Sequence, residues 1–285
     1  MYDTIVIGSG PAGIEAALYL KRAKKEVCIL SKGAGALAKA EKIENFYGLE
    51  PPISGKELHQ RGEMQATKLG IPIIKEEVVN IQKIDKFIVE TQNNVYEAKT
   101  VILATGAPRK KLPVKGMEAL EGKGVSYCAI CDAFFFRGKT VVVIGNGNYA
   151  IHELKQLKPV VKEVILCTNG ERLVENRDEA LEDITIKTEP IYEVRGEDKV
   201  EGVVLKDGTP LPAQGVFVAL GTASSQDLAR KLGVYLQADK IVVDENRQTN
   251  VEGLYACGDC IGGTLQIAKA TNDGMIAALD IIKRG

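Results

Sequence analysis

Tryptophan is absent from this 285-residue chain and aromatic residues make up only 5% of it. With so few rings to stack on bases, a single-stranded nucleic-acid binder is not the expectation. Charge of one sign is also lacking: 37 Lys and Arg stand against 38 Asp and Glu, for a formal net charge of -1. That balance argues against nucleic acid or a membrane surface as partner. No apolar run reaches the roughly 18 residues that a membrane span requires. Met1-Tyr2-Asp3 leads straight into a strand-like run without a leader pattern, so a cytoplasmic location is expected. The six cysteines, Cys28, Cys128, Cys131, Cys167, Cys257 and Cys260, are too few for a secreted disulfide framework. Any active pair among them should therefore do chemistry. His59 and His152 are the only histidines. They are expected on helix surfaces, with no catalytic role and no metal centre.

What the chain does have is a repeated grammar. Residues 3–7 (DTIVI) read as a strand, 8–13 (GSGPAG) as a tight turn, the alanine-rich stretch to about Leu20 as a helix, and 27–30 (VCIL) as a second strand. Gly8, Gly10 and Gly13, with Pro11 and Ala12 opening the helix, allow backbone amides and the positive helix end to meet a pyrophosphate. A plain packing turn would need similar glycines, so the motif alone is weak. The acidic residue that normally follows about 20 positions on is missing. The second strand ends in Ser31-Lys32-Gly33, which leaves Ser31 as the substitute.

The same grammar returns at 140–144 (TVVVI), 145–150 (GNGNYA), a helical stretch and 163–166 (EVIL). Between the two units, 101–106 (VILATG) followed by Pro108 and Pro113 reads as a strand running into a linker, with a boundary near 108–115. Residues 215–221 close the second unit, and 255–259 (YACGD) return to a cofactor-like pattern. The expected fold is α/β with two Rossmann-like, three-layer domains, the second inserted in the first. Residues 1–110 and 245–285 would bind the cofactor, and 111–244 would carry the redox pair on an NAD(P)H-binding-like fold.

That pair is Cys128-Ala129-Ile130-Cys131, two thiols one helical turn apart. A helix start lowers the pKa of one thiol, which suits reversible thiol-disulfide exchange. Asp132 could move the proton that a leaving thiolate needs if burial raises its pKa; otherwise it is a solvated helix-start residue. Cys257-Gly258-Asp259-Cys260 is a second pair of the same spacing, which leaves a four-cysteine zinc site as an alternative. Cys28 and Cys167 lie in apolar strands, where a free cysteine behaves as a small hydrophobe.

GSGPAG at 8–13, ENF at 44–46, ATG at 104–106, CAIC with Asp at 128–132 and CGD at 257–259 together resemble the low-molecular-weight thioredoxin reductases over nearly the whole chain. The resemblance implies FAD near Gly8, Gly10, Gly13, Asn45, Thr105, Gly106, Gly258, Asp259 and Gln266, with Ile267 completing the flavin-facing segment. It implies that Cys131 faces the isoalloxazine as a charge-transfer thiolate, Cys128 attacks the disulfide of thioredoxin, and Asp132 donates the proton. It also implies a homodimer.

Three departures stand out. Cys167-Thr168-Asn169-Gly170-Glu171 replaces the family's His-Arg-Arg cluster, whose guanidinium forks match a 2′-phosphate. Tyr149 stands where a small Ser is usual, so its ring could fill the pyrophosphate space and leave Gly145 and Gly147 structural. Ala36 stands where the family has the glutamine of a GGQ segment. Together these resemble the pyridine-nucleotide-independent branch, the flavin-dependent ferredoxin-thioredoxin reductases. Arg109, Lys110, Lys111 and Lys115, or Lys21, Arg22, Lys24 and Lys25, could steer an acidic ferredoxin. The alternatives are an NADH- or NADPH-dependent reductase with an atypical pocket, Glu171 holding the ribose of NADH, a flavin-dependent dithiol oxidase, and a redox-sensing binding module.

Overall fold

The computed structural model describes residues 1–107, 112–174 and 178–285. It forms two compact units, Met1–Arg109 with Ser224–Gly285, and Lys110–Ala223.

In the first unit, β1 (Tyr2–Ile7) leads through the glycine turn into α1 (Pro11–Arg22) and then β2 (Val27–Leu30). The β-branched residues of both strands are buried, as interior strands of a parallel sheet must be. Pro11 opens α1 and Lys21 and Arg22 close it, complementing the helix dipole at its carboxyl end. The chain continues through α2 (Gly55–Lys68), β3 (Ile73–Ile74), β4 (Val78–Lys83), β5 (Phe87–Thr91) and β6 (Val95–Leu103). Ser54 caps α2, its Oγ accepting the Glu57 N–H at 3.1 Å. The sheet runs β3-β2-β1-β6-β5-β4, parallel from β3 to β6 and antiparallel beyond.

The second unit contains β7 (Val125–Ser126), α3 (Ala129–Asp132), β8 (Thr140–Ile144), α4 (Asn148–Leu157), β9 (Glu163–Cys167) and β10 (Thr185–Lys187). Then come β11 (Ile191–Arg195), β12 (Gly202–Leu205), β13 (Pro210–Pro212) and β14 (Gly215–Val218). A five-stranded parallel sheet, β10-β9-β8-β14-β7, is accompanied by the antiparallel sheet β11-β12-β13. Val142, Ile144 and Val216 of the first share one core with Val203 and Leu205 of the second.

The chain rejoins the first unit with α5 (Ser225–Lys231), β15 (Leu236–Gln237), β16 (Lys240–Ile241), β17 (Leu254–Ala256) and α6 (Ile267–Arg284). This return begins at Ser224, upstream of residue 245. Its cause is local: Ser224 and Asp227 form a capping box, Leu228 and Ala229 are buried, and Lys231 Nζ donates to Val79 O of β4 at 3.1 Å. β17 adds to the sheet beside β6 in parallel. α6 lies so close to α1 that a Cβ on Gly274 would stand 2.1 Å from Ala12 O. The α/β class with Rossmann-like units is the observed one.

Candidate functional site

At the first glycine turn, backbone crowding and open space alternate. A Cβ on Gly8, whose φ is +113°, would lie 2.3 Å from Ala104 O, and one on Gly13 would lie 2.0 Å from Gly8 O. Around Gly10 nothing stands within 4 Å of that position. Gly10 is the N-cap of α1 without a side-chain cap, and the first turn carries no acid. An anion therefore meets amides instead of carboxylates there.

The turn opens on a cleft of about 240 Å³. Gly8, Gly10, Pro11 and Ala12 line it from the turn, Thr105 and Gly106 from beyond β6. Gly258, Asp259, Gln266 and Ile267 line it from beyond β17, and Ala36 from the segment after β2. Gly13 supports the turn from behind. Ser31 reaches the cleft indirectly, its Oγ 2.8 Å from that of Ser9, which lines it. Asn45 likewise acts through Gln266, donating Nδ2 to Oε1 at 3.2 Å.

Two features here were not anticipated. His59, expected on a helix surface, is only 7% exposed and lines the cleft, with Nε2 3.2 Å from Glu63 Oε1 one turn along α2. Glu63 also accepts from Ser9 Oγ and pairs with Lys75, and these partners hold its carboxyl below its usual range against the opposing effect of burial. His152, also expected outside, is buried as well, because α4 turns that face inward. The second feature is Asp273, on the α6 face that meets the CGD segment. It accepts Gly258 N at 3.1 Å, Lys269 Nζ at 2.7 Å and Arg247 Nε at 2.9 Å. Lys269 in turn donates to Gly258 O at 2.8 Å and Gly262 O at 2.6 Å. The turn that places Asp259 on the cleft is thus clamped from one helix.

In the second unit Cys128 and Cys131 form a disulfide, S–S 2.08 Å. Cys128 is the N-cap of α3 and its Sγ accepts Cys131 N at 3.3 Å. Cys128 is 3% exposed, whereas Cys131 lies at the surface. Ser126 Oγ accepts Cys128 N at 3.1 Å and donates to Asp132 Oδ2 at 2.7 Å, so one hydroxyl links the carboxyl to the disulfide segment. Phe134 and Phe135, just beyond, are each 70% exposed.

The second glycine turn is bonded to other segments of the chain. Tyr149 is 0% exposed and its hydroxyl donates to Tyr127 O at 3.2 Å. Asn146 Nδ2 donates to Arg172 O at 3.0 Å and Asn146 O accepts Val174 N at 2.9 Å, so the segment after β9 is tied to the turn. Glu171 is exposed. Of the proposed basic clusters, Arg109, Lys110 and Lys111 lie outside the described residues. Lys115 pairs with Glu193 at 3.2 Å and Lys21 with Glu26 at 3.8 Å.

Cys28 and Cys167 are fully buried, and burial pushes each thiol up to about 12. Burial likewise raises Cys257, and takes Cys260 to about 12. Cys260 Sγ donates to Cys257 O at 3.2 Å. Among the described residues no group of three or more His, Cys, Asp or Glu could hold a metal ion, and no helix is long and apolar enough to cross a membrane.

The pyridine nucleotide-disulphide oxidoreductase family model matches residues 2–274. The thioredoxin reductase of Ureaplasma parvum is 36% identical, with 98% of this chain and 95% of that protein covered. The crystal structure of the atypical thioredoxin reductase TRi from Desulfovibrio vulgaris Hildenborough superposes with a TM-score of 0.93 at 34% identity, covering 100% of this chain and 99% of that one. A ferredoxin-flavin thioredoxin reductase from Clostridium acetobutylicum gives a TM-score of 0.74 at 33% identity, covering 99% and 97%.

Proposed function

The chain belongs to the pyridine nucleotide-disulphide oxidoreductase family, and from that premise we propose that it reduces thioredoxin through Cys128 and Cys131, with a reduced ferredoxin as electron donor. It is a flavoprotein disulfide reductase of the thioredoxin reductase type, and its cofactor is FAD. The open position at Gly10 and the uncapped first turn of α1 suit the pyrophosphate, and Thr105, Asp259 and Gln266 offer hydrogen-bonding groups along the cleft. FAD, when bound, supplies the electron pair that opens the Cys128 to Cys131 bond.

The reduced pair then acts in two exchanges. The Cys128 thiolate attacks the thioredoxin disulfide, forming a mixed disulfide and releasing one thioredoxin thiolate, which takes a proton from Asp132. The Cys131 thiolate attacks Cys128 Sγ, re-forms the Cys128 to Cys131 disulfide and releases the second thioredoxin sulfur. Phe134 and Phe135 are an exposed apolar pair at the edge of this site, suited to a partner surface. Replacing both by Ala is expected to raise KM for thioredoxin about tenfold, equivalent to roughly 1.4 kcal/mol. Reduction of a small aromatic disulfide should be unchanged, and an equal effect on both substrates would remove the phenylalanines from docking.

The ferredoxin assignment rests on one observation: the second glycine turn is tied to the segment after β9, with Arg172 O and Val174 N bonded to Asn146. A 2′-phosphate would also find no arginine cluster in residues 167–171. Anaerobic mixing with NADPH, NADH or reduced ferredoxin, read by flavin absorbance, tests this. Bleaching by ferredoxin alone is expected. Rapid bleaching by NADH would instead assign Glu171 to a nicotinamide ribose. A homodimer, implied by the family resemblance, is part of the same proposal.

A further inference from the structure

The first glycine turn lacks the acid that usually completes such a site. In a Rossmann-type fold the pyrophosphate meets the turn, and a carboxylate at the end of the second strand holds the adenosine ribose. Here β2 runs out into Ser31-Lys32-Gly33, and Lys32 Nζ is turned to Glu77 Oε2 at 2.9 Å. Glu77 is itself 3% exposed and its other oxygen is enclosed, which leaves it no open face for a ligand. The fold brings a different carboxylate to this place. Glu63 of α2 stands where the carboxyl ends of β1, β2 and β3, neighbours in the sheet, come together. Its Oε1 accepts Ser9 Oγ, from the turn after β1, at 3.3 Å, and pairs with Lys75 Nζ just beyond β3. Ser9 Oγ is in turn 2.8 Å from the Oγ of Ser31, the residue after β2. His59, one turn earlier on α2 and lining the cleft, brings Nε2 within 3.2 Å of the same oxygen. Three groups thus share Oε1. Among the described residues Oε2 has no hydrogen-bond or ion-pair partner, and the side chain is 23% exposed.

We propose that Glu63 is a cofactor-binding residue that takes the place of the missing strand-end acid, its Oε2 accepting from the adenosine ribose hydroxyls of FAD. A carboxylate suits this role better than the Ser31 hydroxyl, because a hydrogen bond to a charged acceptor is about twice as strong as one between neutral groups. Ser9, His59 and Lys75 already fix the group through its first oxygen, so little side-chain freedom remains to be lost when a ligand meets the second. Lys32, at the position where the usual acid would stand, is drawn off to Glu77 and leaves the place to Glu63. The proposal rests on the FAD cofactor alone and is independent of the electron donor and of thioredoxin reduction.

The test exchanges the flavin of the intact holoenzyme against FAD whose adenosine is 2′,3′-dideoxy, with the two bound flavins counted by mass after gel filtration. Their ratio at equilibrium gives the preference for the ribose hydroxyls directly. Wild type is expected to prefer FAD about tenfold, the effect of one hydrogen bond to a charged group. E63A should bring that preference to within about twofold of unity, since no acceptor remains, whereas E77Q should keep it. No preference in wild type, an E63A preference equal to that of wild type, or equal losses in E63A and E77Q each overturn the proposal. Loss in S31A with E63A unchanged would return the ribose to Ser31. A second reading needs no variant and serves if E63A holds too little flavin to count. Carbodiimide labelling of carboxyls in wild type, located by peptide mass, should modify Glu63 several-fold faster with the dideoxy flavin bound than with FAD, and equal rates overturn the proposal. No thioredoxin and no electron donor enter these measurements, so their failure is separable from failure of the proposed activity.

Discussion

Serine in place of Cys128 is expected to lower thioredoxin reduction by more than ~10³-fold while FAD loading and thermal stability stay near wild type, because removing a nucleophile abolishes the covalent route and leaves the scaffold. The oxygen is smaller than sulfur and the site is a helix cap, where serine is well suited. The same loss is expected for Cys131→Ser, yet the two variants should differ in what they trap. With Cys131→Ser the attack by Cys128 has no resolving partner, so a mixed disulfide with thioredoxin should accumulate on a non-reducing gel. Exposure points the other way: Cys128 is 3% exposed and Cys131 is at the surface. The family-derived assignment is the one proposed, since attack requires only that the pair be opened first. Accumulation with Cys128→Ser in place of Cys131→Ser would exchange the two roles. Retention of a tenth of wild-type turnover by either variant would remove the pair from the mechanism altogether.

The second large effect concerns stability and cofactor retention together. Asp273→Ala should destabilise the first unit by about 3–5 kcal/mol, the usual consequence of removing one partner from a buried ion pair. Asp273 is 1% exposed, and its loss would leave Arg247, Lys269 and the Gly258 N–H facing one another without their shared acceptor. Gly258 adopts a φ of +80°, so the segment it belongs to depends on outside support to stay on the cleft. A drop of roughly 10 °C in the unfolding midpoint is expected, together with FAD release on gel filtration. Asp273→Asn, which keeps one acceptor oxygen, should lose less. A midpoint within 2 °C of wild type, measured by calorimetry with full flavin content, would show that the clamp is dispensable.

Local chemistry made much of the fold legible. The β-branched runs of β1, β2, β8 and β9, and the glycines between strand and helix, state their structure within ten or twelve residues. The capping box Ser224 to Asp227 is equally local and marks where the chain re-enters the first unit, upstream of the boundary expected at residue 245. Other features had no local signal. His59 looks like one polar residue on a charged helix, and only the seat of α2 beside the first glycine turn turns it into the cleft. Asn45 and Gln266, 221 residues apart, meet only after β17 has joined β6.

By itself, the sequence determined the α/β class, the first glycine turn and the pair Cys128 and Cys131, because each depends on periodicity or spacing within one segment. Tertiary structure decided that Asp273 clamps the CGD segment, that Glu153 accepts the Ala129 amide beside Cys128 and that Asn146 is tied to the segment after β9. Each of these is a bond between side chains and backbone groups brought together by sheet register and helix packing, and such bonds leave no pattern in either segment read alone.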